Sequence, residues 1–266
     1  MRYSSIEERR RFYQEEFALR LLEERFKNRR NTVFALVIGR HTGIYPPNYE
    51  KLKNHTIIID EYQDLSEVKN YILQYLPESV YYDRNLYGGE LENCRRCPKS
   101  YRDCWKCKEF KGQELAFDLD PENIHCPYHG NIEDRMRKHQ GLSFCMYEFK
   151  VIRGRTRQLY EKLERRYGLV EVTYSGRGFH LTVQNEDATN MGWAERKRLA
   201  KEFSAEYPID EWVTSGEMRL LRLPYSLHGV VSRICIPLKV DDLEDFDPRV
   251  DGRCLPRFLL KQSSQP

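Results

Sequence analysis

The sequence predicts a mixed α+β chain, and three observations predict it. Stretches with helical hydrophobic spacing alternate with short strand-like runs. Two of those runs flank a glycine-containing turn, and a cysteine-rich segment interrupts the pattern once. The first helix is expected from Ser5 to Asn28: Ser5 and Glu8 have capping-box spacing, and Phe12, Leu19, Leu22 and Phe26 share one stripe flanked by Phe17 and Leu21. "TIIID" around Ile57 and "SVYYDRNLYG" around Val80 read as strands, since β-branched and aromatic side chains suit a pleated surface. Between them, "LSEVKNYILQYL" places Leu65, Val68, Ile72 and Leu76 on one helical stripe. From Cys94 to about Phe110, Cys, Lys and Arg replace the periodic hydrophobics, as in a metal-stapled excursion. Strand character resumes in "ELAFDLD", where Leu115, Phe117 and Leu119 alternate with Ala116, Asp118 and Asp120. "YEFKVIRGRTRQLYEKLERRYG" is mainly helix, and Gly168 suits its C-terminal end. "LVEVTYSGRGFHLTV" reads as two strands around a turn, and "NMGWAERKRLAKEF" as another helix. "RLLRLPYSLHG" is an extended segment followed by a turn, and the closing "LLKQSSQP" is a polar end that frays.

The 266 residues carry 44 basic and 41 acidic side chains, a net charge of +3. That balance alone establishes no nucleic-acid partner. The runs "RTRQLYEKLERR" and "ERKRLAKEF" read most simply as solvated faces of mixed charge. Mean hydropathy is −0.75, no apolar stretch reaches membrane-spanning length, and "MRYSSIEERRRFY" lacks an apolar leader core. A cytoplasmic, intracellular protein with no membrane partner is expected.

Four segments carry chemistry. Asp118 and Asp120 stand two apart on a strand, so both carboxylates project from one face while Phe117 and Leu119 take the other. Acids held so close repel and favour a hard divalent cation between them, Mg²⁺ or Mn²⁺. In Ser175-Gly176-Arg177-Gly178-Phe179-His180, the glycines admit close backbone approach, and the N–H groups, Ser175, Arg177 and His180 offer donors to phosphate oxygens. The stretch from Pro208 to Gly229 contributes Asp210 in an apolar setting, Arg219 and Arg222, and Ser226 with His228 on one parity; read alone it is a turn acid and an exposed basic strand. Cys94-x₂-Cys97-x₆-Cys104-x₂-Cys107 can supply four thiolates to one tetrahedral Zn²⁺. Cys104 and Cys107 with Cys126 and His129 form a second plausible set, while Cys145, Cys235 and Cys254 stand isolated and Cys235 reads as a core residue.

In this order, an Asp-x-Asp strand, a Ser-Gly-Arg-Gly-x-His hairpin, an isolated Asp and "RLPYSLHG", the chain resembles the small catalytic subunits of the archaeo-eukaryotic primase superfamily. "RRFYQEEF", "PESVYYDRNLYG" and "DLEDFDP" add to the likeness, which runs from about Glu7 to Pro248. The resemblance implies a catalytic core of mostly antiparallel sheets flanked by helices, occupying residues 1–250 as one domain. Residues 90–130 would contain a small zinc-binding element, and 251–266 a C-terminal tail. It implies a DNA primase or primase-polymerase that starts and extends chains on a single-stranded DNA template from nucleoside triphosphates, with a primase large subunit as a possible partner. Asp118, Asp120 and Asp210 would hold the catalytic ions, Asp210 matching the family's acid ahead of a Val-Thr pair, here Val213-Thr214, with Glu217 as its rival. Ser175, Arg177, Gly178 and His180 would bind the triphosphate, with Arg222 and His228 beside it. In the family the zinc ligands follow the Asp-x-Asp strand, whereas here the four-cysteine cluster precedes it and only Cys126 and His129 follow. Two other functions remain open on sequence alone: a non-catalytic nucleic-acid-binding module on the same fold, and a metal-dependent nuclease.

Overall fold

The computed structural model describes residues 1–88, 100–131, 134 and 144–260, and two four-stranded antiparallel sheets carry it. In the first sheet, β1 (Phe34–Val37) lies between β2 (Thr56–Ile59) and β3 (Ser79–Asp83), and β3 pairs onward with β9 (Leu220–Arg222). In the second, the hairpin of β7 (Val170–Tyr174) and β8 (Phe179–Val183) is flanked by β12 (Ile236–Leu238) and β6 (Leu115–Leu119). Two short ribbons complete the strands: β4 (Asn85–Tyr87) with β5 (Phe110–Gln113), and β10 (Leu227–His228) with β11 (Arg233–Ile234).

Each sheet has its own core. Phe12, Leu22, Phe26, Val68 and Ile72 from the N-terminal helices pack on Phe34, Leu36 and Tyr82 of the first sheet. Phe149, Ile152, Leu159 and Leu163 of the helix Met146–Tyr167 pack on Val172, Leu181 and Val183 of the second, where Leu199 and Phe203 of the helix Trp193–Ser204 join them. β6 serves both cores: Leu115, Phe117 and Leu119 belong to one, and Ala116 to the other. Strand parity alone accounts for this, and it leaves Asp118 as the polar position on the Ala116 face.

The expected helix over Ser5–Asn28 is two helices, Ile6–Glu15 and Leu19–Phe26. The Ser5–Glu8 capping box forms as the spacing predicts. The chain leaves the helix after Glu15, and Phe17 N–H reaches back to Phe12 O at 3.0 Å. Phe17, off the stripe of Phe12, Leu22 and Phe26 in a straight helix, thereby joins them and Tyr13 in one core. β1 has no counterpart among the expected strands. All four of its residues are buried, so it shows none of the polar alternation of a half-exposed strand.

Part of the basic run on the helix Met146–Tyr167 is ion-paired within the fold, by Arg157 with Glu161 and Glu244, Lys162 with Glu206, and Arg166 with Glu202. Cys254 and Phe258 are buried, so residues 251–260, expected as part of a tail, pack onto the body. Residues 261–266 lie outside the described residues, as do Cys94 and Cys97. No helix among the described residues is long and apolar enough to cross a membrane.

Candidate active site

A polar cavity of about 230 Å³ opens between the two sheets, lined by Asp118, Asp120, Ser175, Arg177, His180, Asp210, Arg222 and His228. Residues from three separate stretches of sequence meet there. Asp118 leaves β6 directly opposite His180 of β8, with Nε2 of His180 3.5 Å from its carboxylate. Asp120 follows β6 in extended conformation and caps the 3-10 turn Pro121–Asn123 by accepting from Glu122 N–H at 3.0 Å. Arg222 of β9 pairs in register with Tyr81 of β3, donates to its hydroxyl at 3.1 Å and lies 4.9 Å over its ring.

Asp210 is carried by the strand that holds the other two acids. Its N–H donates to Asp118 O at 2.9 Å, and its carboxylate caps the helix Glu211–Ser215 by accepting from Trp212 N–H at 2.8 Å. Thr214 Oγ1 donates to Ala116 O at 2.9 Å, Val213 is buried, and Arg84 donates to Val213 O. The Val-Thr pair thus pins this short helix to β6. Glu217, the rival acid, lines a different groove, with Trp105 and Trp212.

Sterics dictate the two hairpin glycines. Gly176 adopts φ +103°, and a Cβ there would come within 2.6 Å of His228. A Cβ on Gly178 would lie 2.1 Å from Leu119 O. The expectation that Gly178 offers its N–H to a phosphate is corrected here: that N–H donates to Ser175 Oγ at 3.2 Å, and Gly178 acts as the gap through which the Asp118–Asp120 strand passes.

Electrostatically the cavity is tense. Burial pushes the Asp118 carboxyl well above its usual range, and the charges of Asp120 and Asp210 push it further. Burial and Asp120 likewise raise Glu122. Arg177 is buried and ion-paired to both Asp120 and Glu122 through Nη2. Its Nε and Nη1, Nη1 of Arg222 and Nδ1 of His228 have no hydrogen-bond partner among the described residues. Buried polar atoms are normally satisfied, so these suit an anionic ligand in the cavity. Burial, reinforced by Arg222, lowers His180 to about 3 and His228 well below its usual value, so both imidazoles are neutral at pH 7. The carboxylates meanwhile suit a hard divalent cation, which would relieve their repulsion.

Sequence reasoning missed His41, Ser79, Tyr81, Glu122 and Asn123, which also line the cavity. His41 Nδ1 is 2.7 Å from Glu78, and hydrogen bonds from His41 and Thr42 outweigh burial to hold Glu78 at about 2. The only local signal was a histidine between two nearby glycines, Gly39 and Gly43, both of which adopt positive φ in the fold.

Beyond Asp120, a tight loop closes with Cys126 N–H on Gly130 O at 3.0 Å and Gly130 N–H on Cys126 O at 2.7 Å. Ligand atoms of Cys126, His129, Cys145 and Glu148 all lie within 4.8 Å of one another, a set that could hold a metal ion. The alternative pairing of Cys126 and His129 with Cys104 and Cys107 is not among such groups in the described residues, and the first-choice set includes Cys94 and Cys97, which lie outside them. Cys145, expected to be isolated, joins because the start of the helix Met146–Tyr167 lies against the loop; a lone cysteine gave no spacing signal. None of the six described cysteines forms a disulfide, and Cys235 is buried as expected.

No family model matches the chain. Over 262 residues it is 53% identical to an "Uncharacterized DNA primase small subunit-like protein" of Archaeoglobus fulgidus, covering 98% of this chain and 92% of that protein. It is 23% identical over 228 residues to the DNA primase small subunit PriS of Pyrobaculum calidifontis, spanning 69% of this chain and 67% of that one. PriS of Sulfurisphaera tokodaii is 26% identical over 232 residues, 71% of this chain and 69% of the relative. Among solved structures, the polymerase domain of Mycobacterium tuberculosis Ligase D in complex with DNA aligns with 15% identity and a TM-score of 0.49, over 94% of this chain and 88% of that one.

Proposed function

Since this chain belongs to the DNA primase small subunit-like family, we propose that its cavity performs template-directed nucleotidyl transfer, initiating and extending primers on single-stranded DNA. The observation that carries the reading is the meeting of Asp118, Asp120 and Asp210 with the unpartnered donors of Arg177, Arg222 and His228 in one buried polar space. The three acids would hold divalent ions, Mg²⁺ or Mn²⁺. Bound there, such ions would activate a primer 3′-hydroxyl and neutralise the departing pyrophosphate. The chain's own groups position the nucleotide. Arg177 and Arg222 supply the positive charge that a triphosphate requires, and their free N–H groups are pre-set donors. His180 and His228, neutral at pH 7, add hydrogen bonds without further charge, His228 in the tautomer protonated at Nδ1. Ser175 lies beside them in the cavity wall. No covalent protein intermediate is required.

Cys126, His129, Cys145 and Glu148 would hold a structural Zn²⁺, whose preference for thiolate and imidazole with an occasional carboxylate fits this donor set.

The test is incubation with single-stranded template, labelled nucleotides and Mn²⁺, with and without primer. Oligomers made without primer support initiation, and extension only with primer reduces the function to a polymerase. Shortened template identifies a nuclease. Retention of DNA without product identifies a binding module.

A further inference from the structure

A second groove, about 450 Å³, begins two residues beyond Asp210. Its walls are the helix Glu211–Ser215 with the loop after it, the 3-10 turn Tyr101–Lys106, and Lys197 from the helix Trp193–Ser204. Trp212 is 67% exposed on one side, an extreme for the largest apolar side chain in a folded chain. Trp105 faces the groove from the other side, its ring fixed edge-on against Trp193 at 5.9 Å. Arginine and lysine accompany these rings. Arg219 lies 5.3 Å over Trp212, and Lys106 5.0 Å over Trp105. Bare Gly216 makes room for the first contact, because a Cβ there would fall 2.4 Å from Arg219 Cγ. Arg102, Lys197 and Arg219 form no ion pair among the described residues, and Glu217 is the one carboxylate on the groove's lining.

We propose that this groove is a stacking track for a single-stranded nucleic acid, with unpaired bases on Trp212 and Trp105 and phosphates beside Arg102, Lys197 and Arg219. The exposed ring of Trp212, the half-buried ring of Trp105 and the cations between them match a polymer of flat bases and regularly spaced anions. A protein partner would better match an apolar groove than one whose rings stand beside guanidinium and ammonium groups. The track rests on the proposed nucleotidyl-transfer reading for its purpose: Trp212 N–H is bonded to the Asp210 carboxylate, so a strand stacked on Trp212 arrives against the acids. Its ligand class stands independently of that reading.

The experiment is anisotropy titration of the full chain with a labelled oligo(dT) of about 16 nucleotides, without nucleotide or divalent metal, alongside quenching of intrinsic tryptophan emission. Trp212→Ala is expected to weaken binding about tenfold and to remove much of the quenching, while Trp212→Phe restores affinity. Arg219→Gln lowers the slope of log affinity against log salt by about 0.7. A blunt duplex of the same length competes poorly, because its bases are already stacked. Equal affinity of wild type, Trp212→Ala and Arg219→Gln overturns the track, as does equal binding of duplex. A protein that makes no product, yet loses oligo(dT) on Trp212→Ala, keeps the track and removes the nucleotidyl-transfer reading. If product forms, Trp212→Ala raises the KM for template and leaves kcat at saturating template within about twofold.

Discussion

The carboxylate cavity and the Cys126 loop begin within a few residues of each other, yet they are built on opposite principles. The cavity draws its side chains from both sheets, and its acids repel one another. Arg177, folded back onto Asp120 and Glu122, partly neutralises that repulsion. The loop draws on one turn and the adjoining start of a helix, and three of its four close-set donors are sulfur or nitrogen. Hard oxygen donors already engaged by an arginine suit ions that come and go with a nucleotide. Thiolates and an imidazole in a tight loop suit an ion that stays. In the proposed scheme the first site performs the chemistry, and the second maintains the shape around it.

The sharpest break between the two is Asp210→Asn. It is expected to lower nucleotide incorporation by about 10³-fold while circular dichroism and thermal midpoint stay near wild type; near-normal incorporation would remove Asp210 from the site. Cys145→Ser should do the reverse. Zinc measured by plasma mass spectrometry is lost, stability falls by about 3 kcal/mol, and activity per folded molecule changes little. Cys107→Ser retains the metal; zinc lost from Cys107→Ser but kept in Cys145→Ser would return the ligand set to the upstream cysteines. Gly178→Ala, which sets a methyl carbon on Leu119 O, should cost about 2 kcal/mol in urea unfolding and lower activity as β6 shifts.

The smallest effect is electrostatic. An unfolded Asp118 titrates near 3.8 and the folded carboxyl higher, so the folded state holds the extra proton. The stability of the metal-free protein is therefore lost as pH rises from the unfolded value through the folded one. Asp118→Asn should raise the metal-free thermal midpoint at pH 7 by about 3 °C, and Mn²⁺ should stabilise wild type more than the variant. A lower midpoint for the variant would contradict the repulsion.

What could be read in the sequence follows the range of the interactions. Strand parity on Asp118 and Asp120, the turn at Gly176 and the capping box at Ser5 are set by immediate neighbours, and all three form. The grouping of Asp210 with them was suggested only by likeness to a family, because its hydrogen bond to Asp118 joins residues far apart in the chain. β1 was invisible because both its faces are covered, and the helix break at 16–18 because tertiary burial of Phe17 decides it. Cys-x-x-Cys spacing drew attention upstream, while the fold joined Cys126 to a cysteine with no local partner.

Gly178 carries a last consequence, one for descent. The bare α-carbon beneath Leu119 O is demanded by the backbone, whether or not the cavity turns over a nucleotide. Asp118 has no such duty, and in the metal-free fold it is a burden. A descendant released from catalysis would therefore shed Asp118 first, while its Ser-Gly-Arg-Gly hairpin endured. In the proposed scheme the hairpin would mark ancestry, and Asp118 would mark catalysis retained.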